Sequence, residues 1–245
     1  MDIEKGALER FFLDLDRIMV NGENTYANSL ENFFERLGFR FRIFDEIKKQ
    51  ADIYLSSDFN VFNFIRPDEN RLSDMIEEIL SPEGSHGQAE TFLNEFLNLL
   101  RNKGLALDLT GKVSISREYP TENVRRIDIL LKFEDGTIIG IENKPQAKEQ
   151  IRQVGDYVAY LETISPDKFV FVFIHGYGKE PISIEADKLE DLKNRNRFFN
   201  LSYVPDFRDW LNSCYGKCKS EKFRFFLMDF INYVQKEFVE VMRNE

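Results

Sequence analysis

Apolar positions along this chain run at helical spacing, then at strand spacing, then at helical spacing again. Up to about residue 64 the period is helical: Leu8, Phe11, Phe12, Leu15 and Ile18, continued by Phe33, Phe34, Leu37, Phe41 and Ile47, with a break expected at Gly38. Asp68 suits the cap of a helix that carries Met75, Ile76, Ile79 and Leu80 and stops at Pro82. Ser85 suits the cap of the next, with Phe92, Leu93, Phe96, Leu97 and Leu100 on its buried side. Val113–Tyr119 reads as a first strand. The runs Ile127–Phe133 and Thr137–Ile141 then flank Glu134-Asp135-Gly136, which is a hairpin signal. Pro145 suits the first turn of a helix. Phe169–Ile174 is a continuous apolar run, as expected of a strand covered on both faces, and Phe199–Val204 suits a fifth strand. From about 206 to 243 the helical period returns, with Trp210, Leu211, Phe223, Phe226, Leu227, Phe230, Ile231 and Val234 as apolar members.

The hairpin carries the chemistry. A three-residue loop with Gly136 in the left-handed position sets Phe133 opposite Thr137. Counting outward, Leu131 meets Ile139, Ile129 meets Ile141, and Asp128 meets Glu142. One face then holds Ile127, Ile129, Leu131, Phe133, Ile139 and Ile141; the other holds Asp128, Glu142 and Lys144. Opposed residues have Cβ atoms about 5 Å apart, and like charges there are destabilising. A bound cation, a shared proton or a nearby ammonium compensates such a pair, and Lys144 supplies an ammonium. Oxygen ligands with few partners suit Mg²⁺ or Mn²⁺. The plainer account is a half-exposed hairpin with ordinary polar-out alternation. A two-residue loop would pair Asp128 with Asn143 and remove the cluster.

Asp128 followed a hairpin later by Glu142-Asn143-Lys144 resembles the core of the PD-(D/E)XK nuclease superfamily. Gln153-Val154-Gly155-Asp156-Tyr157 resembles the Gln-x-x-x-Tyr extension seen in part of it. Asp68 to Asp74, Leu80-Ser81-Pro82 and Ser85-His86-Gly87-Gln88 resemble one prokaryotic and phage branch. The likeness covers about residues 66 to 175, with Ile127 where some members carry Pro. It implies an α/β, restriction-endonuclease-like core, a central mixed sheet flanked by helices. It implies Asp128 and Glu142 holding Mg²⁺ or Mn²⁺ with the Asn143 carbonyl, Glu69 completing the shell, Gln153 orienting the site, and a 5′-phosphate product. Lys144 would position the attacking water. Without the resemblance, Glu69 would only favour a helix N-terminus through the dipole. Asp74 and Glu118 are competing acids. His86 and His175 read as structural.

Composition narrows the class. The chain has 245 residues, 42% hydrophobic, with 24 Phe, which is ample core material. No apolar run is long enough to span a bilayer, and the charged opening Met1-Asp2-Ile3-Glu4-Lys5 does not read as a signal peptide, so a cytoplasmic location is expected. Cys214 and Cys218 lack a second ligand pair and read as a reduced thiol pair rather than a zinc site. A net charge of −10 argues against a nonspecific DNA coat, but not against a nuclease, whose site is itself acidic. Arg125, Arg126, Lys148 and Tyr157 are the expected nucleic-acid contacts, with Lys193, Arg195 and Arg197 a further basic run.

The expected organisation is a helical segment 1–65, a nuclease-like core 66–204, and helices 205–245 packing on that core. The expected function is metal-dependent hydrolysis of nucleic acid, DNA by preference. Defence against foreign DNA, phage-encoded processing and repair all stay open. A non-cleaving nucleic-acid-binding or protein-interaction module with the same fold is the alternative. The Phe-rich helices suit a homodimer.

Overall fold

The computed structural model describes the chain apart from residues 1, 108, 110, 122–124, 147–148 and 240–245, and leaves aside the side chains of 2–9, 11–12, 14–24 and 239. It divides into two compact units, 1–59 and 60–245. The first is built on one helix, α1 (Asp2–Leu55). The break expected at Gly38 does not occur. A mid-helix glycine costs only about 1 kcal/mol relative to alanine, which a long helix absorbs. Phe33, Phe34, Phe41 and Ile47 of α1 are exposed. The side chains of Leu8, Phe11, Phe12, Leu15 and Ile18 lie outside the described residues.

The second unit runs α2 (Phe62–Ile65), α3 (Glu69–Leu80), α4 (Thr91–Asn102), β1 (Val113–Pro120), β2 (Arg126–Phe133), β3 (Ile138–Lys144), α5 (Gln153–Ile164), β4 (Phe169–His175), α6 (Ala186–Asn194), β5 (Phe198–Ser202), α7 (Arg208–Lys217) and α8 (Glu221–Val239). The strands form one mixed sheet in the order β1-β2-β3-β4-β5: the first three antiparallel, β3, β4 and β5 parallel. Parallel neighbours need crossovers, and α5 and α6 supply them. Ile129, Leu131, Ile139, Ile141, Val170 and Val172 pack with α3, α4, α7 and α8 on one face. Leu130, Ile138, Phe169, Phe171 and Phe173 pack with α5 and α6 on the other. The architecture is the expected α/β one: a mixed sheet flanked by helices, with helical additions at both ends. Among the described residues no helix is long and apolar enough to cross a membrane.

The hairpin has the register of the three-residue loop. Ile129 opposes Ile141 and Leu131 opposes Ile139. Gly136 takes φ +86°, and Phe133 N–H donates to Thr137 C=O at 2.9 Å. Gly140, in mid-strand, favours close packing: a Cβ there would lie 2.9 Å from Leu161 Cδ1, so its absence lets α5 seat on β3.

In the second unit, local expectations fail at Ile127, Ser85 and Pro145. Ile127 packs on the α5 side with Leu130, not beside Ile129, because the alternation of β2 is interrupted at Asp128, where Glu118 on β1 takes φ +45° and has no strand partner. Ser85 does not cap α4. Its N–H and hydroxyl both bind the Glu78 carboxylate, and left-handed Gly87 and Ala89 carry the chain on to a start at Thr91. Pro145 does not open a helix: α5 begins only at Gln153.

Candidate active site

Three elements converge where β2 and β3 separate. Past Ile129 and Ile141 the backbone ladder ends, and the Asn143 N–H is taken instead by Asp128 Oδ2 at 2.8 Å. Glu142 and Lys144 stay on the α5 face of β3, both buried. Glu69 arrives from the first turn of α3, whose N-cap Asp68 accepts from the Arg71 N–H at 2.9 Å. One carboxylate oxygen from each of Glu69, Asp128 and Glu142 can be chosen so that all three lie within 4.8 Å of one another.

Each carboxylate is held by a named partner. Lys144 Nζ donates to Glu142 Oε1 at 3.0 Å and to Glu69 Oε1. Gln153, on the first turn of α5, donates from Nε2 to Glu142 Oε1 at 2.7 Å and to the Tyr157 hydroxyl at 3.2 Å. Its own Oε1 accepts from Gln150 N–H, which fixes the amide. The Tyr157 hydroxyl donates to Arg126 C=O at 2.7 Å, tying α5 to β2. Glu142 Oε2 is buried with no hydrogen-bond partner among the described residues.

Asn143 points the other way. Its Nδ2 donates to Ser73 Oγ at 3.0 Å, and its Oδ1 accepts from the Tyr203 hydroxyl at 2.8 Å. Ser73 Oγ donates in turn to the Glu69 carbonyl at 2.9 Å. The amide of the middle residue of Glu142-Asn143-Lys144 therefore clamps α3 to β3 through the opposite face of the sheet. A second clamp is Arg117, which donates to Asp74 Oδ1 at 2.8 Å, to the Asn70 carbonyl at 3.2 Å and to the Asp128 carbonyl. Sequence reasoning missed Ser73, Tyr203 and Arg117, because partners as much as 70 residues apart meet only in the fold.

The electrostatics follow from the crowding. Burial, reinforced by Asp128, raises the Glu142 carboxyl to about 8 against the pull of Lys144. Burial also raises Asp128, opposed by the Asn143 N–H and Lys144. Burial disfavours charge on Lys144, yet Glu142 and Glu69 outweigh it and hold the ammonium above its ordinary range. Three ionised carboxylates and one ammonium would leave a net charge of about −2, which a divalent cation balances. The orphaned Glu142 Oε2 and the all-oxygen donor set fit a hard cation.

The other sequence candidates lie as follows. Asp74 is bound to Arg117 and Glu118 to Arg126, both outside the carboxylate group. Arg125 is held by Asp156 at 2.8 Å, by Gln150 and by the Ile151 carbonyl. Arg126 makes an exposed pair with Glu118, of a kind worth ~0–1 kcal/mol, and stays available to solvent. Tyr157 is buried behind Gln153 rather than open to a ligand. Lys148 lies outside the described residues. Lys193 and Arg195 pair with Glu180 and Asp191, and Arg197 binds the Phe169 and Asp167 carbonyls. His86 bridges the Ser81 carbonyl and the Gln88 N–H in a turn, and His175 accepts from Tyr177 N–H beyond β4. Cys214 and Cys218 are buried free thiols.

A family model described as the PD-(D/E)XK nuclease superfamily matches residues 59–232. No curated protein and no solved structure matches the chain.

Proposed function

The chain belongs to the PD-(D/E)XK nuclease superfamily, and from that premise we propose that it is a metal-dependent nuclease that hydrolyses phosphodiester bonds, with DNA as the favoured substrate. The observation that carries this reading is the meeting of half-buried Glu69 and Asp128 with buried Glu142 around Lys144. Asp128, Glu142 and Glu69 would hold Mg²⁺ or Mn²⁺, with the Asn143 main-chain carbonyl as a further donor. When bound, the cation supplies Lewis acidity toward a phosphate oxygen and acidifies water. Lys144, compact and charged, orients the attacking water and offsets negative charge growing on phosphorus. Gln153 keeps Glu142 turned so that Oε2 stays free. Tyr157 and Gln150 hold Gln153, and the Asn143–Ser73 bond holds the helix turn that bears Glu69. The exposed Phe33, Phe34, Phe41 and Ile47 of α1 suit self-association into a dimer.

A panel of end-labelled single- and double-stranded DNA and RNA, incubated with the full chain in Mg²⁺ and in Mn²⁺, tests the assignment. Cleavage leaving a 5′-phosphate is expected, with none in EDTA. Binding of the panel without cleavage in either metal would favour the non-cleaving alternative.

A further inference from the structure

A cleft of about 840 Å³ opens at Glu69, one of the three site carboxylates, with Pro145 and Gln146, which directly follow Lys144, as another wall. Arg66 and Pro67, ahead of α3, and Tyr233 and Lys236, on α8, close it. Its volume suits a ligand the size of one or two nucleotides.

The cations of this cleft differ from those that the fold spends on ion pairs. Arg117, Arg125, Lys144, Lys188, Lys193, Arg195 and Lys217 are all spent on carboxylates. Arg66 and Lys236 are exposed and form no side-chain hydrogen bond or ion pair among the described residues. The carboxylates facing them are mostly committed: Asp68 to the N-terminus of α3 and Glu69 to Lys144, leaving Glu237. Tyr233 is half-buried with its ring stacked on Phe62, 5.2 Å between centroids and 24° between planes. A rigid aromatic flanked by two free cations is what a single nucleic-acid strand requires: charge for the phosphates and a π-face for an unpaired base.

We propose, resting on the nuclease reading above, that this cleft holds the nucleotides next to the scissile phosphate as a single strand. Arg66 and Lys236 grip the phosphates and Tyr233 stacks an unpaired base. The preferred substrate is then a single strand or a frayed end, and α8 is part of the substrate site as well as of the core.

The test measures binding apart from cleavage. Fluorescence anisotropy of a labelled single-stranded 12-mer and of its duplex is followed for the full chain in Ca²⁺ across a salt series. The single strand is expected to bind more tightly than the duplex. Arg66→Ala and Lys236→Ala should each weaken it about 3- to 10-fold and lower the slope of log Kd against log salt by about 0.7. Tyr233→Leu should weaken it about 5- to 100-fold, while Tyr233→Phe retains binding. Lys217→Ala, which removes an ammonium paired with Glu95 outside the cleft lining, serves as the control and should leave both unchanged. Arg66 and Lys236 are surface positions, so their variants decide the matter even if Tyr233→Leu fails to fold. If the wild type cleaves but Arg66→Ala and Lys236→Ala keep its affinity and salt slope, the cleft assignment falls and the nuclease reading stands. Tighter binding of the duplex, with Tyr233→Leu unaffected, overturns the single-strand assignment. A wild type that neither binds nor cleaves overturns both.

Discussion

Glu142 should make cation binding strongly dependent on pH. Its carboxyl is raised from an ordinary 4.5 to about 8 by burial and by Asp128. That displacement corresponds to ~5 kcal/mol at ~1.4 kcal/mol per tenfold. The metal-free site therefore carries a proton on Glu142 at pH 7, and a divalent cation must displace it. Mn²⁺ affinity should rise about tenfold per pH unit from about pH 5.5 to 7.5 and level off above about 8. Asp128, also raised, adds a further proton at the acidic end. Titration calorimetry of Mn²⁺ into the protein, in buffers of differing ionisation enthalpy, reads the protons released. About one is expected at pH 6 to 7, falling toward zero at pH 9. Binding that releases no proton at pH 6.5, or an affinity flat from pH 6 to 8, would refute the reasoning, because Glu142 would then be ionised in the metal-free protein.

The same group sets an opposite trend in metal-free stability. Its folded value lies above its unfolded value, so no penalty exists well below pH 4.5, and the penalty grows as pH rises toward about 8. Glu142→Gln should match wild type near pH 4 and exceed its melting temperature by several degrees at pH 9, as read by calorimetry; an equal gap at both pH values would contradict this. Lys144→Arg keeps the charge but replaces a compact ammonium by a planar fork, so cleavage should fall by orders of magnitude while Mn²⁺ binding persists. Wild-type turnover in that variant would make Lys144 a structural counter-ion only. Tyr203→Phe strands the buried Asn143 Oδ1 and should cost about 1–3 kcal/mol in a urea melt; no loss would mean that the hydroxyl contributes nothing to the clamp.

The sheet and its hairpin were legible because their signals are local. Gly136 fixes the loop, the loop fixes the register, and the register brings Glu142 to the level of Asp128. The apolar run Phe169–Ile174 likewise announces a strand buried on both faces. Glu69 was legible only through the family resemblance, since nothing in its own neighbourhood separates a ligand from an ordinary first-turn acid. The basic residues were the hardest to read. Arg125 and Arg126 sit next to the site in sequence, but Asp156, 31 residues on, immobilises the first. Arg66 and Lys236, 170 residues apart, share a cleft that no local pattern signals. The inward turn of Asn143 was hidden for the same reason: its partners Ser73 and Tyr203 lie on α3 and beyond β5.

The most direct test of the central claim compares wild type, Asp128→Ala and Glu142→Ala in cleavage of the best panel substrate, with Mn²⁺ binding measured on the same preparations. Wild type should cleave only with a divalent cation. Both variants should stay folded, lose Mn²⁺ affinity and cut at background rate, because removing one of two crowded carboxylates relieves repulsion but unmakes the cation site. Metal-dependent cleavage that survives in either variant would show that the chemistry resides elsewhere in the chain.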